Sequence, residues 1–444
     1  MGAREISANM ITRFELDAKQ LVALTYACSA ISCLSLFFVA IPYGQFHITY
    51  YSDALLGATL TTLAFASVSW LFGFSRFCFG YLIGFYLYIM ILGYLWLNSF
   101  SPLPYNHALP GLSAVVSAIA FLLPALLIYA PIRQVRVLSI RSVDHLLTLI
   151  LLVAIATVAA GAYYNFKIVG IERIYEFRDA LAFPTALSYL IGITSSSLLP
   201  FAFACFVLRG NVWRAGLVAL LMLLFYPITL AKISLFAPVW IVGMTIASRI
   251  IDSRTTVVLS LFIPVSIGVI FFTLHNKGVL SATPAMTYFE LVNFRMIAIP
   301  SLAMDYYNYF FSTHELTRFC QVRVLKAFLS CPYQDQLSVV IYKFFGIGGF
   351  FNASLFATEG VASVGSLFAP LTAFACGLVI AFGNRLSAGL PDRFILISGA
   401  VISQAFLNVP FTTVMLSHGA GLLFLLWYLM PREMFEVDRK TRIG

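Results

Sequence analysis

Charge is what this sequence has least of. Only 10% of its 444 residues are charged, and 61% are hydrophobic. A soluble domain carries roughly 25% charged residues. A water-facing surface cannot be assembled from so few, so lipid must solvate most of the chain. The formal net charge of +9 therefore does not mark a nucleic-acid binder; its meaning lies in where the cations fall. Other absences narrow the chemistry. There is no P-loop, no dinucleotide-binding glycine fingerprint, no GxSxG and no HExxH. There is no DxD-type acidic pair to hold a nucleotide-sugar through a metal. The cysteines form no CxxC, and no His/Cys spacing points to a metal site. Neither metal nor cofactor is expected. No internal repeat, low-complexity tract or heptad run is present, whereas a transporter of two similar halves would show internal symmetry. The stretch from Met1 to Lys19 is polar and leads into a run of spanning length, so no cleavable signal peptide is expected.

What is present is a recurrence of apolar runs, each long enough to cross about 30 Å of hydrocarbon. They fall at 20–41, 54–74, 79–98, 111–131, 146–165, 184–208, 215–231, 233–250, 255–274, 354–383, 394–409 and 411–430. The reading is an all-α polytopic membrane protein of about twelve crossings, with 1–444 forming one integral membrane domain. Lys and Arg in the loops set its orientation. With the N-terminus inside, Arg76, Arg133, Arg136, Arg141, Arg209, Arg214, Arg249, Arg254, Arg385, Arg393 and Arg432 lie in short inner segments. The bias predicts both termini on the cytoplasmic side.

Two outer segments are more than connectors. The smaller, 166–183, contains the charged string KIVGIERIYEFRDALAF. The larger runs over 275–351, a length that marks a functional loop. Amphipathic stretches such as Tyr288 to Phe311 are expected there as short helices on the outer face. Cys320 and Cys331 both fall in this loop. An oxidising outer compartment would join them in a disulfide. Cys28, Cys33, Cys205 and Cys376 lie inside spans, and Cys78 at a boundary, where they read as small core residues.

The candidates for chemistry are the cations on the outer side. Arg173 and Arg178 are either interfacial anchors, paired with Glu172, Glu176 and Asp179, or a clamp for phosphate oxygens. Lys232 sits in the tight turn between two spans, where it either snorkels to the interface or faces a wet cavity. Arg295 lies in the apolar stretch Phe294–Pro300, as a solvated residue or facing the same cavity. Glu359 opens a span and needs a partner or water there. It is a structural partner of an arginine or a general base. His314 and His418 are further titratable groups near the outer side. A cationic outer pocket without a metal suits a membrane-embedded anion such as a lipid phosphate or pyrophosphate.

The stretch from Phe310 to Gly365 resembles the O-antigen polymerase (Wzy) family of bacterial surface-polysaccharide assembly. The string begins FFSTHELTRF, passes CPYQ and continues FFNASLFATEGVASVG. Asn352 and Ala353 match an Asn-Ala pair. Ala357, Glu359, Gly360, Ala362 and Gly365 match Ala-x-Asp-Gly-x-Ala-x-x-Gly, with Glu in place of Asp. The string Thr412 to Gly419 and the loop ending Arg178-Asp179-Ala180-Leu181-Ala182 are also similar to family members. The first 160 residues match only in hydropathy. Some members carry Arg-x10-Gly repeats; here Tyr189 and Tyr306 stand where those glycines would follow Arg178 and Arg295. Which Arg in each loop is functional stays open.

The resemblance implies a GT-C-like, metal-independent membrane glycosyltransferase. Such an enzyme transfers the growing glycan from its undecaprenyl diphosphate onto a new lipid-linked unit at the periplasmic face. The implied catalytic residues are Arg178, Arg295 and Glu359. Arg173, Lys232, His314, Asn352 and His418 are the implied binding groups for diphosphate and glycan. Partners would be undecaprenyl-diphosphate-linked oligosaccharides, the bilayer and a chain-length regulator. The competing readings are a flippase for the same lipid-linked units, an O-antigen ligase, which leans on a loop His, and an ion-coupled transporter. The last would need intramembrane ion sites, and the mid-spans carry almost no charge.

Overall fold

An aspartate fixes where the first span begins. The Gln20 N–H donates to Asp17 Oδ1 at 2.7 Å, and the Asp17 N–H donates to Gln20 Oε1 at 3.1 Å. This reciprocal box satisfies two donors that the helix itself leaves over. Helix α1, Ala18–Val39, follows. The computed structural model describes residues 14–170, 173, 174, 177, 181–322, 325, 328–347 and 351–435. After α1 come α2 (Ser52–Phe74), α3 (Phe79–Phe100), α4 (Ala108–Leu127), α5 (Ile140–Tyr164), α6 (Thr185–Leu208), α7 (Val212–Thr229), α8 (Lys232–Ile250) and α9 (Ser253–Asn276). Helix α10 is made of three consecutive segments, Ala282–Phe289, Glu290–Ala298 and Ile299–Thr313. Then come α11 (Leu337–Phe345), α12 (Phe356–Ser387), α13 (Asp392–Asn408), α14 (Phe411–Leu416) and α15 (Ala420–Leu429).

Among the described residues, 10 helices, α1 to α9 and α12, are long and apolar enough to cross a membrane. The chain is a polytopic, all-helical membrane protein. The first ten expected runs fall on these helices. The eleventh is α13, a largely buried helix of 17 residues. The twelfth does not form one span. It breaks into α14 and α15 at Gly419, whose φ of +80° is open to glycine at no steric cost.

Helix α3 is the centre. Each of its residues from Phe79 to Leu97 is buried, as suits a helix that is apolar all round. Helices α1, α2, α4, α10, α12 and α13 pack around it. Small residues let these helices approach in lipid, where packing rather than water exclusion drives association. A Cβ on Gly93 would lie 2.4 Å from Ser301 Oγ of α10.

The 275–351 region differs from a loop bearing surface helices. Helix α10 packs into the bundle. Asn293 donates to Ser35 Oγ at 2.9 Å and to Val265 O at 3.0 Å. Phe294 stacks on Tyr43 at 3.9 Å, and most residues from Ile297 to Phe311 are buried. The middle segment is a π-helix, whose wider winding brings residues five apart towards one side. Arg295 Nε lies 3.7 Å from Glu290 Oε1 as a result. An α-helix would hold that pair about 140° apart around its axis.

The bundle has two distinct ends. At one, the arginines collect against carbonyls and carboxylates. Arg385 donates to Ala130 O at 3.0 Å, Arg432 to Leu386 O at 2.7 Å and Arg393 to Ser248 Oγ at 3.2 Å. Arg209 pairs with Asp144, and Arg254 with Glu15. Both ends of the described chain reach this basic face, Phe14 through its bridge to Ile251 and Phe435 through its contact with Phe394. The opposite end, here the loop face, holds residues 40–53, 101–107, 165–170, 181–183 and the described residues between α10 and α12.

Candidate functional site at the loop face

Described residues of the sequence string from Phe310 to Gly365 are tied to one another at the loop face. The Thr317 N–H donates to Ala362 O at 2.7 Å, and Tyr333 OH donates to Glu315 O at 2.7 Å. Cys320 and Cys331 are joined in a disulfide across a sequence separation of 11. The chain then enters α12 through a second π-segment, Phe356–Ala362. Such segments are frequent at functional sites.

Glu359 lies in this segment and is 5% exposed. Its carboxylate accepts from the Phe411 N–H at 3.1 Å, the Thr412 N–H at 2.9 Å, Thr412 Oγ1 at 2.9 Å and Thr358 Oγ1 at 2.5 Å. The two N–H groups open α14 and have no partner within that helix. An anionic side chain at a helix N-terminus is the favourable arrangement. These four donors make the carboxylate an anchor for α14. The broken twelfth run is therefore held in place from α12.

Gly365 breaks α12 with φ +77° and ψ 162°, a region open essentially to glycine alone. The break turns Ser366 back towards its neighbours. Ser366 Oγ donates to Asn308 Oδ1 at 3.0 Å, and the Ser366 carbonyl accepts from Ser113 Oγ of α4. A cavity of about 350 Å³ opens beside the break, lined by Tyr105, Asn308, Ser312 and Ser366 together with Phe311 and Phe368.

Behind Tyr105 sits a carboxyl group that the sequence reading passed over. Asp305 of α10 is 1% exposed. It accepts from Tyr105 OH and, at 2.7 Å, from Ser101 Oγ. Asn98 Oδ1 lies 3.0 Å from Tyr105 OH and 3.0 Å from His107 Nδ1, extending the network. Burial pushes the Asp305 carboxyl above its ordinary value, against the hydrogen bonds from Tyr105 and Ser101 and the nearby His107, which lower it. The available signal was one acidic residue inside the apolar run Ile297–Phe311. Its partner Tyr105 is 200 positions away.

The expected site residues are distributed more widely. Arg178 lies outside the described residues, as do Glu172, Glu176 and Asp179. Arg173 and Lys167 both lie over the Phe177 ring, at 5.7 Å and 5.1 Å from its centroid. Their segment is pinned to the end of α7. Asn165 donates to Pro227 O at 3.1 Å and Ile228 O at 2.8 Å, and Tyr226 OH donates to Val169 O. Lys232 is the first residue of α8, beside this segment. Arg295 belongs to α10, with Glu290 and near Tyr43. His314 caps the end of α10 and stacks on Phe310 at 4.0 Å. Asn352 is exposed just before the π-segment. His418 sits between α14 and α15, where its carbonyl accepts from Ser197 Oγ at 2.6 Å. Glu359 and His418 thus bracket α14, while Arg173 and Lys167 share the Phe177 ring.

The fold and this end of the bundle define a polytopic helical membrane protein with a built polar site at one face. Comparison with protein-family models, with curated proteins and with solved structures returns no match.

Proposed function

We propose that this chain is a metal-independent membrane glycosyltransferase of the O-antigen polymerase type. It joins undecaprenyl-diphosphate-linked oligosaccharide units at the periplasmic face of the bacterial inner membrane. The observation that carries the reading is the break in α12. Gly365 makes this break beside a cavity, and Glu359, in the segment that leads to it, anchors α14; both belong to the sequence string that resembles the family.

In the reaction, a hydroxyl oxygen of the acceptor unit forms a bond to the anomeric carbon of the growing glycan. The bond from that carbon to the diphosphate oxygen breaks, and undecaprenyl diphosphate leaves with the electron pair. The hydroxyl proton passes to solvent at the loop face. Negative charge grows on the departing oxygen, so preorganised cations supply the largest stabilisation. Arg178 and Arg295 take that role, with Arg173 and Lys232 as further phosphate contacts. Glu359 acts at one remove, by fixing α14 against the site.

The test is reconstitution. Purified protein in nanodiscs is supplied with lipid-linked repeat units. The expected products carry two or more units, with one undecaprenyl diphosphate released per join. The Arg178→Ala/Arg295→Ala variant should form none while remaining folded. Normal joining by that variant would refute the roles of both arginines, and no joining by the wild type would refute the activity.

A further inference from the structure

The cavity beside Gly365 has a chemistry of its own. Among the described residues its lining includes no Lys, Arg, Asp or Glu. A diphosphate would have no cation there to balance it. The polar groups that do line it are neutral, and their bonding capacity is already divided. Ser312 Oγ donates its hydrogen to Tyr309 O at 2.6 Å, and Ser366 Oγ donates to Asn308 Oδ1 at 3.0 Å. Each hydroxyl therefore presents lone pairs to the cavity. Asn106 Oδ1 accepts from the Ala108 N–H at 3.0 Å, which leaves the Asn106 amide hydrogens as donors. Phe311, Pro110 and Val361 supply apolar surface between these groups. At the rim, Leu109 is 45% exposed, Leu367 67% and Phe368 55%. Residues so apolar on the outside of a membrane bundle face lipid, so the cavity opens on the flank where a bilayer-anchored substrate arrives. Its volume lies at the low end of small-molecule sites, about 300–1,000 Å³.

We propose that this cavity is the subsite for a neutral sugar at the non-reducing end of the acceptor saccharide, an assignment that rests on the polymerase reading above. Sugar hydroxyls match a wall of committed serine hydroxyls and an amide donor, and the C–H face of a sugar ring matches Phe311 and Pro110. The lipid diphosphate of the same unit lies outside the cavity. Asp305 is a positioning residue for this wall. It holds Tyr105 from behind without reaching the cavity lining itself.

The subsite is tested in the reconstituted system by reading initial joining rates against repeat-unit concentration. Ser312 is exposed at the rim, so its replacement removes no core contact. Ser312→Ala should raise KM about three- to tenfold, the loss of one neutral hydrogen bond. Ser312→Trp should fill the cavity and abolish joining. Capture of undecaprenyl diphosphate alone should be unchanged in both. Wild-type KM and rate in both variants would overturn the subsite and leave the polymerase reading standing. Loss of undecaprenyl diphosphate capture in Ser312→Trp would overturn it too, by making the cavity the diphosphate site. A wild-type protein that joins no units would overturn the polymerase reading, and the subsite with it.

Discussion

Replacing Glu359 isolates the device that holds the broken last run. In Glu359→Ala, four hydrogen bonds are lost together. They do not cost the same. Thr358 Oγ1 still donates to Ser354 O at 2.9 Å, so its loss is small. Thr412 Oγ1 is on a half-buried residue and can turn to water. The Phe411 and Thr412 N–H groups are different. They begin α14, have no helical partner, and Phe411 is 5% exposed. An orphaned buried donor costs about 1–3 kcal/mol. The buried Phe411 donor sets the expected loss at about 1–3 kcal/mol, and the half-buried Thr412 N–H adds less. Glu359→Gln keeps one acceptor oxygen and should cost about half as much. The assay is amide hydrogen exchange over 411–416 in detergent, with thermal unfolding alongside. Exchange in Glu359→Ala should be faster by at least tenfold, the equivalent of about 1.4 kcal/mol, while α3 stays protected. Wild-type exchange at 411–416 would refute the anchoring role.

Three further outcomes follow from particular contacts. Gly365→Ala places a side chain where φ is +77°, and should destabilise by about 1–3 kcal/mol and disturb the cavity; thermal unfolding measures the first effect and joining rate the second. Gly93→Ala drives a methyl into Ser301 Oγ at 2.4 Å, at a cost of about 1–3 kcal/mol. Adding Ser301→Ala should recover part of that loss, which a double-mutant cycle of unfolding midpoints reads directly. The Asp305 carboxyl is raised by burial in the folded chain. Its contribution to stability is therefore fully present below its unfolded value of about 3.9 and is lost as pH rises through the higher folded value. The stability of the wild type relative to Asp305→Asn should fall as pH rises above about 4, and a difference flat with pH would refute the assignment.

Much of the bundle was legible in the sequence because lipid leaves few ways to satisfy a backbone. Each of the first ten runs reads as a helix by length and hydropathy alone. The tight turn that carries Lys232 was legible as well. The place of α10 was not. Its Glu290, Arg295 and Asp305 gave it an amphipathic look that suits a surface helix. The structure answers each of these groups across space, Glu290 with Arg295 and Asp305 with Ser101 and Tyr105. A π-segment has no hydropathy signature, so the pairing at 290 and 295 could not be read in advance. The same holds for the candidate site. Glu359 stood out as a charge in an apolar run, but its four donors come from the adjacent Thr358 and from α14. Tyr105, Asn106 and Ser312 are ordinary loop-end residues until the fold places them around one cavity.

The most direct measurement is to delete the gene in its own host and run the surface polysaccharide on a gel beside the parent. The account predicts that the polymer ladder collapses to a single repeat unit on its acceptor, because export and attachment survive while joining fails. Loss of all surface sugar, with lipid-linked single units retained inside the cell, would contradict it and point to a flippase.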